Sequence, residues 1–259
     1  MKRYVLLAAV IGVLGAGSVV SADPLLFDHF TSTATLGGSG STWSIARNEG
    51  LIWIDPTGDG FLRTETGHHH RVSSNMLFLP GAEEVLVASA SLQFESGPGG
   101  ENYQGFGFVQ YLESSGIPGL AGGQLSFFFS TYDDRYGDMT GRVRAIVSRN
   151  NVEVANYLFE GVPWNLLNTL SIAWTPTGVS FLVPGQESFT FLFPEADAGY
   201  FTTPLPLSLI SDRPQPYAVD WARVDSTAVP EPATGLLLLA GLAAACVRRR
   251  IARRIGGGR

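Results

Sequence analysis

The chain has almost no cysteine and almost no lysine. Its single thiol, Cys246, lies in a C-terminal apolar run, so the body of the protein has neither a disulfide nor a thiolate. A catalytic cysteine and a thiolate metal site are thereby excluded, and the body depends on its core alone in any oxidising compartment. The one lysine is Lys2, at the extreme N-terminus. Positive charge is scarce elsewhere too. Between Asp23 and Ala228 there are nine arginines against 22 acids, which leaves that part near −13. Such a balance repels nucleic acid and anionic lipid, so nucleic acid is not an expected partner. Glycine-rich phosphate loops, nucleophilic-serine motifs and paired zinc-ligand histidines are also missing.

The two ends are addressing segments. Lys2 and Arg3 precede an apolar stretch beginning at Tyr4, and Val20-Ser21-Ala22 supplies small residues for cleavage before Asp23. Residues 1–22 therefore read as a secretory signal peptide. At the other end, Ala233 to Val247 is an uncharged run of 15 residues. As a helix it would be about 22 Å long, short against a hydrocarbon core of about 30 Å. Pro230, Glu231 and Pro232 bar its backward extension. Arg248, Arg249, Arg250, Arg253 and Arg254 hold its far end on the cytoplasmic side. The expectation is a single, marginal transmembrane helix with the body outside.

The order Val229-Pro230-Glu231-Pro232, short apolar helix, arginine cluster resembles the PEP-CTERM sorting signal of exported bacterial proteins. That resemblance, over residues 229–259, implies recognition by an exosortase-type membrane protease and removal of the tail. It also implies transient anchoring in the inner membrane, delivery to the cell surface or extracellular matrix, and a Gram-negative, polysaccharide-producing host.

Residues 23–228 are patterned with period two. In VLVASASLQF, Ala88, Ala90, Leu92 and Phe94 share one face. Leu125, Phe127 and Phe129 share another, as do Leu170, Ile172 and Trp174, and then Val179, Phe181 and Val183. Further strands are expected at 51–54, 106–112, 142–147, 152–158, 189–193, 205–210 and 219–224. Between them stand turn signals such as SGPGG, TPTG and SRNN. About a dozen short strands predict an all-β, two-sheet antiparallel sandwich or barrel. The early LLFDHF and WSI, the late hairpin around Thr175-Pro176-Thr177-Gly178, and the closing YAVDWARV resemble the concanavalin A-like (laminin-G-like) jelly roll. That resemblance implies a last strand lying beside the first.

The chemical signals are thinner. Family 16 glycoside hydrolases, which share that fold, carry Glu-x-Asp-x-x-Glu on one strand, because retaining hydrolysis needs two carboxyl groups about 5 Å apart. The nearest match here runs from Glu195 through Asp197 to Tyr200, where tyrosine replaces the second glutamate. It also lies between Pro194 and Gly199, a loop context. No catalytic residue is assigned on this basis, and the expectation is a non-enzymatic surface protein with lectin-like binding of extracellular polysaccharide. A divergent glycoside hydrolase or lyase on the same fold is the alternative. His68, His69 and His70 form the one histidine cluster, but adjacent strand residues point to opposite faces, so two at most could share a metal. Asp55 and Asp59, and Asp133 and Asp134, lie in two acidic loops. Either holds a calcium ion or is a turn closed by its own Asp side chains. Thr57 and Thr66 break the EF-hand pattern and favour the turn, so no cofactor is assigned. Among aromatics, Tyr103, Tyr132 and Tyr136 stand in glycine-rich or acidic stretches and are the candidate sugar contacts, ahead of Trp53, Tyr111 and Trp164.

Overall fold

A computed structural model describes residues 23–30, 36, 40–48, 52–54, 62–64, 69–94, 103–109, 125–133, 137–138, 141–149, 152–195, 203–212 and 218–228. The strands are β1 (Leu26–Asp28), β2 (Trp43–Asn48), β3 (Ile52–Ile54), β4 (Leu62–Thr64), β5 (His69–Phe78), β6 (Glu84–Gln93), β7 (Tyr103–Val109), β8 (Leu125–Ser130) and β9 (Tyr132–Asp133). They continue with β10 (Gly137–Asp138), β11 (Arg142–Arg149), β12 (Val152–Glu160), β13 (Leu167–Thr175), β14 (Gly178–Leu182), β15 (Phe189–Leu192), β16 (Leu205–Asp212) and β17 (Ala218–Ala228). Among the described residues there is no helix long and apolar enough to cross a membrane. The leader, the apolar tail and its arginines lie outside them.

Two antiparallel sheets form a sandwich. Sheet A runs β15-β14-β13-β6-β17-β4-β3, with β1 also on β17, and sheet B runs β12-β11-β8-β7-β16-β5-β2. The last strand does return beside the first, with Leu26 opposite Val224. Alternation explains the core. Leu86, Ala88, Ala90, Leu92, Leu170, Ile172, Trp174, Val179 and Phe181 of sheet A face Phe106, Phe108, Leu125, Phe127, Phe129, Val143, Ala145 and Val147 of sheet B. Phe127 and Trp174 meet at 4.8 Å between ring centroids, and Phe129 meets Phe181 at 5.2 Å, both edge to face. The expected β13–β14 hairpin is present. Thr175 closes it, its hydroxyl donating to the Gly178 carbonyl at 3.1 Å and accepting the Thr177 N–H at 3.3 Å.

Three sequence expectations change. The run at 152–158 is longer and lies at the edge of sheet B with β11 as its one partner, so Val152 and Val154 are exposed. The run at 205–210 continues to Asp212, and the run at 106–112 begins earlier, at Tyr103. β5 alternates poorly. In HHRVSSNMLF the polar Arg71, Ser73 and Ser74 are buried beside the core residues Val72 and Phe78, whereas Met76 and Leu77 are exposed.

Candidate functional site on the outer face of sheet B

The side of sheet B turned away from the core is built from alternate residues of its strands. One cross-strand row runs Ser44, Ser73, Ser208, Gly107, Phe128, Ile146 and Asn156. The next runs Arg47, Arg71, Ile210, Gly105, Ser130, Arg144 and Leu158. Most of these residues are buried, so the sheet is packed on both faces. Val109, Phe128, Ile146 and Ile210 form a second, smaller apolar cluster there.

The polar groups of this face are tied into pairs. The hydroxyls of Ser73 and Ser208 lie 2.8 Å apart, and Ser208 donates to the Val109 carbonyl at 3.0 Å. Those of Ser126 and Ser148 are 2.8 Å apart. No imidazole is among these partners, so these hydroxyls have a structural role rather than that of an activated nucleophile. Arg144 pairs with Glu153, which also accepts from Asn156. Gly107 is required by geometry: a Cβ there would stand 2.3 Å from the Phe127 carbonyl oxygen.

Carboxylates are few on this sheet. Its strands carry Glu153 and Glu160 on the edge strand β12, and Asp212 at the end of the central strand β16. Asp212 is in register with His69 on one side and Tyr103 on the other. The row His69–Asp212–Tyr103 thus follows directly after the row that contains Arg71. The sequence reading missed Asp212 because it ended the strand at Ile210. The alternation Ser208, Ile210, Asp212 against Leu205, Leu207, Leu209 was the signal that reached it.

The other candidates are dispersed. Tyr103 opens β7, whereas Tyr132 and Asp133 belong to the small β9–β10 hairpin. His69 and His70 are the first two residues of β5. Trp53 is in β3. Trp164 is buried, its indole N–H 3.3 Å from the Arg142 carbonyl, so it is a core residue and not a sugar platform. Glu195 is exposed just beyond β15, the edge strand of sheet A. Asp55, Asp59, His68, Tyr111, Asp134, Tyr136, Asp197 and Tyr200 lie outside the described residues, as do Val229, Pro230, Glu231, Pro232 and the arginine cluster.

Comparison with known proteins bears on both parts of the chain. Residues 228–254 match the PEP-CTERM protein-sorting motif. No curated protein matches the chain. The structure is similar to the endo-β-1,3-glucanase of Pyrococcus furiosus, with a TM-score of 0.57 and 14% identity over 82% of this chain and 100% of that one. It is similar to the endo-1,3-β-glucanase of Streptomyces sioyaensis, with a TM-score of 0.56 and 13% identity over 82% and 99%. The β-glucanase of Bacillus licheniformis gives 0.51 and 13% over 81% and 99%. These likenesses show a shared fold.

They also correct the expectation of a non-enzyme. That expectation rested on the broken pattern from Glu195 to Tyr200, most of which lies outside the described residues, and these solved structures, matched nearly end to end, are glucanases. A missing motif at residues 195–200 is therefore no argument against catalysis. The chain is an exported protein in which a concanavalin-like jelly roll is joined to a PEP-CTERM signal, the mark of a substrate for exosortase, a membrane protease.

Proposed function

We propose that the jelly roll is a divergent enzyme cleaving glycosidic bonds of extracellular polysaccharide, delivered to the cell surface or matrix by removal of its tail. The observation that carries this reading is the coincidence of the whole sandwich with β-glucanases, over 99–100% of their chains. Two features support it. The outer face of sheet B has small residues, Gly105, Gly107, Ser130 and Ser208, across its central strands, and glycine within a strand marks a place where backbone or ligand approaches closely. The export signal supports delivery of the domain beyond the cytoplasm, where such polymers accumulate. Family-typical hydrolysis would need two carboxyl groups across the scissile bond, and the five central strands of sheet B contribute Asp212 alone.

The test is depolymerisation. The exported protein is incubated with polysaccharide from producing cells and with soluble β-glucans, and chain length is followed by size-exclusion chromatography. Shortening of at least one polymer is expected. Unchanged length for every polymer would refute the reading.

A further inference from the structure

We infer that the end of the sandwich at which β17 finishes is a membrane-docking surface, and that its partner is the neutral, zwitterionic lipid surface in which the sorting tail is anchored. Leu25, Met76, Leu77 and Leu79 form its apolar centre. Such docking serves any activity of the domain, so it stands apart from the polysaccharide-cleaving reading.

Chain connections bring these four residues to one end. β5 finishes at Phe78 in sheet B and β6 begins at Glu84 in sheet A, so Leu79 belongs to the link between the sheets. Leu77 lies opposite Pro206, near the start of β16. Strand β17 finishes at the same link. The Ser226 hydroxyl donates to the Glu84 carboxylate, and that of Thr227 reaches the Val85 carbonyl at 3.5 Å. The chain also enters the sandwich there, because the Leu25 N–H donates to the Val224 carbonyl at 2.9 Å.

Exposure and charge define what this end can meet. Leu77 is 60% exposed and Met76 48%, with Leu25 and Leu79 at 42% and 40%. One exposed leucine is ordinary, but a group of them at one place marks an interaction site. The exposed charged residues beside the group are Asp23 and Glu83, both acidic. Arg223, two residues before Asp225, is held by that carboxylate at 2.7 Å. An acidic rim is repelled by anionic lipid and tolerates a neutral headgroup.

Chain length selects lipid as the occupant. Strand β17 runs to Ala228, and only Val229, Pro230, Glu231 and Pro232 precede the apolar run that begins at Ala233. The steps from Ala228 to Ala233 span at most about 18 Å when fully extended, and the headgroup layer takes up roughly 5–8 Å of that. This end of the sandwich therefore stays close to the bilayer for as long as the tail is anchored. Tethering makes the encounter intramolecular, so a weak preference of a few apolar side chains for the interface is enough to hold the domain down. Four side chains do not equal a spanning helix, so the docking ends when the tail is removed.

The experiment uses the full-length chain reconstituted through its own tail into phosphatidylcholine vesicles, with and without lipid brominated near the top of its acyl chains. A fluorophore on the native Cys246 reports anchoring of the tail. In a Cys246→Ser background, Leu77→Cys and Leu79→Cys carry the same fluorophore. Leu166→Cys is the reference, as exposed as Leu77 but beside Leu167, which pairs with Gln93 at the far end of β6. Brominated lipid should quench the labels at positions 77 and 79 and leave that at 166 bright. A label on Leu25→Cys should be quenched too, and should lose that quenching when Leu77→Glu and Leu79→Glu are added, with the thermal midpoint unchanged. Equal quenching at 77 and 166, or none at 77 and 79, would overturn the docking surface. Quenching that appears only with anionic lipid would overturn the neutral partner. A signal at 77 that follows protein density in the vesicle rather than bromine would assign the patch to a second copy and overturn lipid as its occupant. Lack of quenching at Cys246 would overturn the anchored state on which the docking depends.

Discussion

Asp28 ties the first strand to the core, and its removal should cost more than any other single carboxylate among the described residues. Its side chain is 7% exposed. One oxygen accepts the Phe30 N–H at 2.7 Å, and the other accepts the Trp43 indole N–H at 2.9 Å. Both donors belong to fully buried residues, and Phe30 has a left-handed backbone with φ of 52°. That conformation is strained for a residue with a Cβ, and the Asp28 contact is what holds it. Asp28→Ala leaves two buried donors unmet at about 1–3 kcal/mol each, so a loss of about 3–4 kcal/mol is expected. For a domain of this size that lowers the thermal midpoint by roughly 6–15 °C. Urea unfolding of residues 23–228 measures it, and Trp43→Phe in a double-mutant cycle isolates the indole bond, whose coupling should be about 1 kcal/mol or more. A loss below about 1 kcal/mol in Asp28→Ala, with no coupling to Trp43, would refute the reasoning.

Trp174 is also fully buried, but its Nε1 has no hydrogen-bond acceptor, so Trp174→Phe should destabilise less than Trp43→Phe in the same urea titration. Gly107→Ala should cost about 2 kcal/mol or more, read from the denaturation midpoint, because the new Cβ meets backbone on β8 rather than a side chain that can yield. In producing cells, Glu231→Ala should leave full-length protein in the membrane fraction, as mass spectrometry of the C-terminus would show. Strand β17 runs to Ala228, where the sorting match begins, so a flexible Gly/Ser insertion after Ala228 should speed tail removal in a pulse-chase measurement.

The strands that sequence displays best are those with one wet face. β6 and β13 alternate cleanly because the outer side of sheet A is half-exposed, with Ser89 and Ser171 sharing a hydrogen bond of 2.8 Å there. Burial on both faces blurs the signal. β5 buries Arg71, Ser73 and Ser74 as well as Val72 and Phe78, and β8, legible from Leu125, Phe127 and Phe129, also buries Phe128, in the second cluster. β12 was legible as a strand, but its buried side was not, for the opposite reason. At an edge, both parities reach solvent, and apolar residues such as Val152 and Val154 no longer report a buried side.

The same logic governs what could be read of the site. A motif search sees residues close in sequence, and it found the sorting signal because that signal is linear. His69, Tyr103 and Asp212 are spread over more than half of the sandwich's length and become neighbours through the β5–β16–β7 pairing alone. Tyr103 was singled out for its glycine-rich setting and the histidines as a cluster, but nothing local joins either to Asp212. Of the tempting linear match, Glu195 to Tyr200, Glu195 alone is described, just beyond β15 of the other sheet. In a two-sheet fold with long crossovers, chemistry assembled across strands is written in the register, and register is set by bulges such as those at Ile45/Arg47 and Pro206/Ser208 that alternation alone does not reveal. A one-residue slip of β16 against β5 would bring Ser211 rather than Asp212 opposite His69, so the bulge at Pro206/Ser208 decides which residues share that row.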